Sequence, residues 1–264
     1  MTEQRTVIVT GAGTGIGAAI AARLQAKGWR VFSTMRRPDP ALHGPDALAL
    51  DVTSDDSVGA AVAEVMSRSG RVDAVVNNAG VDLLGAAEET SLSEAERLFQ
   101  TNFFGVHRLN RAVLPIMRAQ GHGHIVTVGS VADFLPLPSD AFYTASKHAV
   151  KGYTETLAFE VAPFGIKCVL VEPGRIKTEL RSKKTEVAER LEAYATLRAK
   201  AGRSIDTFVN GGIPADKVAA LIAHSLDAEQ PKLCQRIGSD AHMVAFVRRF
   251  MPDALFRVAL RRQF

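Results

Sequence analysis

Tyr143 and Lys147 stand four residues apart in Tyr-Thr-Ala-Ser-Lys, a spacing that brings a phenol and an ammonium onto one helix face. A cation beside a phenol favours phenolate and draws the tyrosine pKa from about 10 towards working pH, as a general acid/base for an alcohol or ketone requires. Ser130 precedes them at the end of a β-rich run and adds a hydroxyl. Taken singly, such residues are ordinary surface, core and turn residues, so their meaning rests on their company. A second cluster, Thr10-Gly11-Ala12-Gly13-Thr14-Gly15-Ile16-Gly17, lies between a strand pattern and a helix pattern. Glycines there permit a tight turn and close backbone approach to a pyrophosphate, whose charge suits a helix N-terminus. No Lys-Ser/Thr pair follows the glycines, which excludes a Walker A loop. Cys168 and Cys234 have no metal-ligand spacing around them and make no disulfide framework.

Positioning these groups is the task of an alternating scaffold. Strand patterns at residues 6–10, 30–34, 47–50, 72–76, 125–128, 166–171 and 233–237 alternate with helical periodicity, the rhythm of a doubly wound parallel sheet. Ile20, Leu24 and Trp29 fit one face of the first helix, Gly28 ends it, and a Ser or Asp caps the helix at 58–66. A long helix at 93–119 is expected to be interrupted by Pro115, and another spans 141–162. Residues 173–212 break the rhythm as a charged, helix-leaning insertion without a strand, placed where open α/β sheets carry ligand-covering elements. Helix 218–226 and two short helices split by Pro252 complete the chain. With 264 residues, 47% hydrophobic and 23% charged, the expectation is a single α/β domain over 1–264, with a lid insertion at about 175–212. Disorder, collagen and coiled coil are excluded on composition. No signal-peptide pattern or apolar run of spanning length occurs, so a cytoplasmic protein is expected.

Read together, these features resemble the short-chain dehydrogenase/reductase family, in its branch of roughly 250 residues. The resemblance spans residues 6 to about 178 and is carried by TGAGTGIG (10–17), LDVT (50–53), NNAG (77–80), Asn102 in TNFFG, Ser130 in VTVGS, YTASK (143–147) and PGRIKT (173–178). It implies a Rossmann fold, a nicotinamide cofactor and hydride transfer. By the same resemblance Gly11, Thr14, Gly15, Ile16 and Gly17 take the pyrophosphate, Asp51 and Val52 the adenine, and Asn78 with Gly80 the ribose wall. Pro173, Gly174, Ile176 and Thr178 serve the nicotinamide, the last two at its carboxamide. Tyr143 is then the proton donor to a carbonyl oxygen that Ser130 also hydrogen-bonds. Lys147 binds the nicotinamide ribose and stabilises tyrosinate, and Asn102 holds a water linking Lys147 to solvent. No metal is implied, since the developing alkoxide meets donors already in place.

At the end of the second strand, where an acidic residue selects NAD, stands Met35, and Arg36 follows it. NADP(H) is therefore expected over NAD(H), with Arg36 on the 2′-phosphate. Leu83, Leu84, Phe134, Leu135, Leu137 and Phe142 crowd the expected mouth and point to an apolar ketone or alcohol. The C-terminal layout is loosely similar to hydroxysteroid and retinol dehydrogenases. Six arginines and two aspartates fall in residues 236–264, and the rest of the chain is balanced in charge, so nucleic acid is not an expected partner. Met243, Phe246, Val247 and Phe250 form one apolar stripe in a basic amphipathic tail at about 239–264. The expectation is a homodimer whose tail covers the cleft or subunit contact, with membrane attachment the less favoured alternative. The competing function is a non-catalytic NADP(H)-sensing protein that binds a partner.

Overall fold

The computed structural model describes residues 4–177, 185–252, 254–256 and 258. Seven strands run through its centre: β1 (Thr6–Thr10), β2 (Arg30–Met35), β3 (Ala47–Ala49), β4 (Ala74–Asn77), β5 (Gly123–Val128), β6 (Ile166–Pro173) and β7 (Cys234–Ile237). They pair in the order β7-β6-β5-β4-β1-β2-β3, every pairing parallel. Such a sheet must be covered on both sides, which is why β1 and β4 are buried along their whole length.

Within these continuous apolar runs, alternate residues still choose opposite faces. Val7, Val9, Val126 and Val169 pack with Ile20 and Leu24 of α1 (Gly15–Ala26), and the α7 helix (Ala215–Asp227) adds Ile222 and Leu226. On the other face Ile8, Val75, Ile125 and Cys168 meet α2 (Asp55–Ser69), α4 (Gly105–Gln120) and α5 (Ala141–Val161). Trp29 is buried with Ile20 and Leu24 but stands beyond the end of α1 rather than on its face, Gly28 follows α1 with a φ of 82°, and Ser54 caps α2 by accepting from Ser57 N at 3.2 Å. The result is a Rossmann-type doubly wound domain, whose chain reverses direction across the sheet between β1 and β4. Ligands of open α/β sheets sit at the carboxyl ends of the strands beside such a switch point.

Three local expectations need correction. Pro115 does not interrupt its helix: it lies on the exposed side of α4, where its missing N–H strands no buried carbonyl, while Val113 and Met117 beside it stay in the core. The irregularity comes earlier, where α3 (Leu92–Phe99) passes into α4 through a π-helical turn, Gln100–Phe104. The insertion also contains strand pairing, since residues 176–177 pair with 213–214 and residues 185–186 with 83–84. Two-residue pairings have no period to detect, and Gly212 and Gly85 allow the close approach: a Cβ on either would collide with Ile176 or Val187. The insertion's helix is α6 (Ala195–Asn210). Finally, α8 (Ser239–Phe250) packs through Ala241, Val244 and Ala245, with Val247 half-buried, whereas Met243, Phe246 and Phe250 of the expected inner stripe face solvent.

Candidate active site

The glycine loop between β1 and α1 is held from both sides. Gly11 and Gly15 take φ values of 64° and 58°, which side-chain-bearing residues avoid, and a Cβ on Gly17 would collide with the Gly11 carbonyl. Thr14 stands at the N-cap with extended backbone and no capping side-chain bond, and the first turn of α1 holds no acidic residue. By contrast α2 carries Ser54, Asp55 and Asp56 at its start, and α3 closes a Ser91–Glu94 capping box. The start of α1 thus keeps amide donors and a positive dipole end for an anionic ligand, with Ile16 half-buried behind them. These residues fit a dinucleotide.

Thr10 and Asn78 lock this loop to the end of β4. The Thr10 hydroxyl accepts from Asn78 N at 2.9 Å and Ala79 N at 3.0 Å, and donates to Val76 O at 3.2 Å. Asn78 Nδ2 donates to Thr10 O at 2.8 Å and Gly11 O at 3.2 Å, so its amide is turned to the loop. Asn77 braces instead against Asn110 Oδ1 at 2.8 Å. Met35 ends β2 against Gly13, where an added Cβ would lie 3.2 Å from the Met35 sulfur, and Arg36 is exposed next to it. Asp51 Oδ1 accepts from Thr53 N at 2.9 Å and Thr53 Oγ1 at 2.8 Å. Those two bonds, with the charges of Arg36 and Arg108, hold the Asp51 carboxyl below its ordinary range despite partial burial. Val52 is buried against Gly105 at the start of α4.

Lys147 ties the Tyr143 face of α5 to the sheet. Its Nζ donates to Val128 O at 2.9 Å, tying α5 to the last residue of β5, two positions before Ser130. Tyr143 and Lys147 are both buried, with the ammonium 5.8 Å from the phenol ring centroid. Ser130 opens a short 3₁₀ turn, Val131–Asp133, and its Oγ accepts from Ala132 N at 3.1 Å. Asn102 sits inside the π-helical turn, a form of backbone frequent at functional sites. Its side chain is held at both ends: Oδ1 accepts from Val81 N at 2.8 Å, and Nδ2 donates to Val81 O at 2.9 Å and Ser146 Oγ at 3.2 Å. Gly80 faces that amide, since its Cβ would lie 3.5 Å from Asn102 Oδ1.

Around Tyr143 the lining is apolar, with Leu83, Leu98, Ala132 and Val187 buried in one cluster and Leu137 beside them. Leu84 packs separately with Ala201 of α6. Phe134, expected at the mouth, is held instead between Lys151 Nζ, 5.3 Å from its centroid, and the Arg236 guanidinium at 5.4 Å. The insertion is pinned over this region by two acids. Glu89 accepts from Leu191 N at 2.8 Å and pairs with Arg198, and Glu94 accepts from Ala188 N at 2.9 Å. Pro173 ends β6 and Gly174 follows it, where Gly174 N donates to Ile237 O at 2.9 Å and a Cβ on Gly174 would collide with Asp240. Asp240 Oδ2 in turn accepts from Arg175 N at 2.7 Å, and Ile176 is buried beyond it. Thr178 lies outside the described residues.

Sequence reasoning missed the charged cluster behind Ser130. Lys151, one turn beyond Lys147 on α5, lies 2.7 Å from Glu172 Oε1 and 3.9 Å from Asp133 Oδ1, while Arg236 Nε lies 2.8 Å from Glu172 Oε2. Both carboxylates are fully buried. Burial, and then the neighbouring Glu172, push the Asp133 carboxyl up to about 8 against the pull of Lys151. Lys151 is held above its ordinary range, since its bond to Glu172 and the surrounding carboxylates outweigh its own burial. The one available signal was an acidic residue, Glu172, at the end of an otherwise apolar strand pattern. Among the described residues no group of three or more His, Cys, Asp or Glu is arranged to hold a metal.

A family model described as short chain dehydrogenase matches residues 5–189. The chain is 34% identical over 262 residues to a 3-ketodihydrosphingosine reductase of Bacteroides thetaiotaomicron, covering 98% of this chain and 97% of that one. It is 35% identical over 256 residues to retinol dehydrogenase 8 of Bos taurus, covering 88% of this chain and 81% of the relative. Among solved structures, a short-chain dehydrogenase from Streptomyces avermitilis superposes with a TM-score of 0.84 at 37% identity, covering 99% of this chain and 96% of the other. A short chain dehydrogenase/reductase from Burkholderia phymatum, in complex with NAD, gives a TM-score of 0.79 at 28% identity, with 93% and 92% covered. A metagenomic short-chain oxidoreductase in complex with NADP gives 0.69 at 28%, with 89% and 96% covered.

Proposed function

The chain belongs to the short chain dehydrogenase family, and from that premise we propose that it is an NADP(H)-dependent oxidoreductase acting between an apolar ketone and its secondary alcohol. The observation that carries this reading is the Lys147–Val128 bond, which sets Tyr143 and Lys147 against the end of the strand that leads to Ser130. When bound, the nicotinamide supplies or accepts the hydride. Gly11, Thr14, Gly15, Ile16 and Gly17 hold its pyrophosphate, and Pro173, Gly174, Ile176 and Thr178 its nicotinamide end. Asp51 and Val52 flank the adenine, and Asn78 with Gly80 the ribose.

In reduction, Tyr143 gives its phenolic proton to the carbonyl oxygen as negative charge develops there, and in oxidation it takes that proton back. The Lys147 ammonium favours the tyrosinate that results. Ser130 Oγ accepts from Ala132 N, an arrangement that directs its own hydrogen to the substrate oxygen as a second donor. Because the Asn102 side chain is committed to Val81 and Ser146, a water passing protons to Lys147 is held by the main chain of the π-helical turn.

NADP(H) preference is supported by Met35 filling the place of an acidic residue, and by exposed Arg36 beside it. An apolar substrate is supported by the Leu83, Leu98, Ala132 and Val187 surround of Tyr143, and by relatives named for sphingosine and retinol chemistry. Two free thiols suit the cytoplasm. Phe104, Phe159 and Phe164 are exposed at the start of α4 and the end of α5, aromatic surface that a homodimer would cover and whose burial light scattering would test. The deciding experiment follows NADPH oxidation with a panel of apolar ketones, steroids, retinoids and short aldehydes. Turnover is expected with an apolar member and should fall by at least about a thousandfold in Tyr143→Phe, while NADPH affinity survives. A chain that binds NADPH but reduces no carbonyl would instead be a cofactor sensor.

A further inference from the structure

A helix on the surface of a globular domain ordinarily turns its apolar stripe inward. In α8, Met243, Phe246 and Phe250 remain 62%, 66% and 65% exposed, and Leu255 just beyond the helix is 59% exposed. The Phe246 and Phe250 rings lie 4.8 Å apart between centroids, making one continuous apolar ridge. Exposed apolar surface of this kind marks an interaction site. Its rim is cationic: the Arg249 guanidinium lies 5.8 Å from the Phe250 ring, and Arg248 reaches over Phe256 at 5.0 Å. In sequence, residues 241–264 hold five arginines and one acid, Asp253.

Self-association through the ridge would set arginines against arginines with almost no carboxylate to pair them. Beyond Asp240 in its first turn, α8 carries no carboxylate, so its exposed rings are accompanied by cations alone. A fluid acyl layer under anionic headgroups accepts such a ridge and matches its charge. We therefore propose that α8 is a docking face for an anionic lipid bilayer, with Met243, Phe246 and Phe250 entering the interface and Arg248 and Arg249 meeting the headgroups. The helix is fixed to the domain, because Asp240 in its first turn holds Arg175 N at 2.7 Å. A docked bilayer consequently sits beside the Gly174 loop, where an apolar substrate can enter from the lipid.

The purified full chain is sedimented with vesicles of phosphatidylcholine alone and of equimolar phosphatidylglycerol and phosphatidylcholine, over a range of salt. Binding to the anionic vesicles, weakening as salt rises, is expected. Phe246→Ser with Phe250→Ser should weaken it roughly a hundredfold, and Arg248→Gln with Arg249→Gln should remove about thirtyfold of the anionic preference. Phe246→Trp, retaining binding, should show blue-shifted emission on the anionic vesicles. NADPH affinity, unchanged in every variant, confirms that the fold is intact and keeps the test separate from the catalytic reading. Absence of vesicle binding at low salt, or binding indifferent to the paired substitutions, overturns the proposal. A fall in oligomer mass with Phe246→Ser and Phe250→Ser also overturns it, by making the ridge a subunit contact.

Discussion

Met35 and Arg36 close β2 beside the glycine loop, and the two side chains do different work. The Met35 thioether packs where Gly13 lacks a Cβ, leaving that corner without the carboxylate that would repel a 2′-phosphate. Arg36 is exposed and close enough to Asp51 to help hold its carboxyl below the ordinary range. Removing a charge-assisted phosphate contact costs on the order of 1.5–3 kcal/mol. Arg36→Ala should therefore weaken NADPH by about 10- to 100-fold and leave NADH nearly unchanged, as titration of both cofactors into wild type and mutant will show. Tighter binding of NADH than NADPH by the wild-type chain would refute the assignment. The residue types of this corner are readable from the sequence, and the titration tests the cofactor choice they imply. The commitment of Asn102 is not readable there, since its partners Val81 and Ser146 come from separate segments.

At the level of elements, α5 presents Tyr143, Lys147 and Lys151 at successive four-residue steps along one face. The shared face of the first two was readable from their spacing. The third acquires its role only when β6 and β7 pair, because that pairing delivers Glu172 and Arg236 to the same buried place. Lys151→Met keeps the length of the side chain and removes the cation shared by Glu172 and Asp133. Stranding those carboxylates should cost about 2–3 kcal/mol, less than in a wholly buried pair because Lys151 keeps some solvent contact. A fall in Tm of roughly 5–10 °C is expected by calorimetry, with more of the loss appearing above pH 8, where Asp133 also loses its proton. A melting curve unchanged on both sides of pH 8 would show that the cluster contributes no stability. The strand and helix rhythm and the glycine loop were legible because each rests on local periodicity or a local backbone requirement. The docking of the insertion was not, since it depends on two-residue pairings and on Glu89 and Glu94 reaching segments about a hundred residues away.

Across the whole molecule, Asp73 joins three strands at the end of the sheet opposite the glycine loop. Its Oδ2 accepts from Thr6 N at 2.7 Å, and Arg71 and His122 share its Oδ1. Burial alone would raise this carboxyl, but the bonds from Arg71, Thr6 and His122 outweigh it and hold it below its usual range. A depressed carboxyl stabilises the fold fully above the unfolded value of about 4, and that contribution disappears as pH falls through the lower folded value. Denaturant titrations from pH 7 to 2.5 should show stability falling below about pH 4, with Asp73→Asn less stable by on the order of 2 kcal/mol at pH 7. The two proteins should converge in acid; a gap that stays constant down to pH 2.5 would remove Asp73 from the account. The joining of Gly174 to Ile237 and of Arg175 to Asp240 has a different consequence, one of timing during synthesis. A nascent chain leaving the ribosome has all the residues of the glycine cradle and the Tyr143–Lys147 pair long before it has those of β7 and α8. The wall proposed for the nicotinamide acquires its partners only once β7 and the start of α8 have been made. A message cut short after β6 should therefore yield a product with most of the sheet and the Tyr143–Lys147 pair but with Gly174 and Arg175 lacking the partners that β7 and α8 supply.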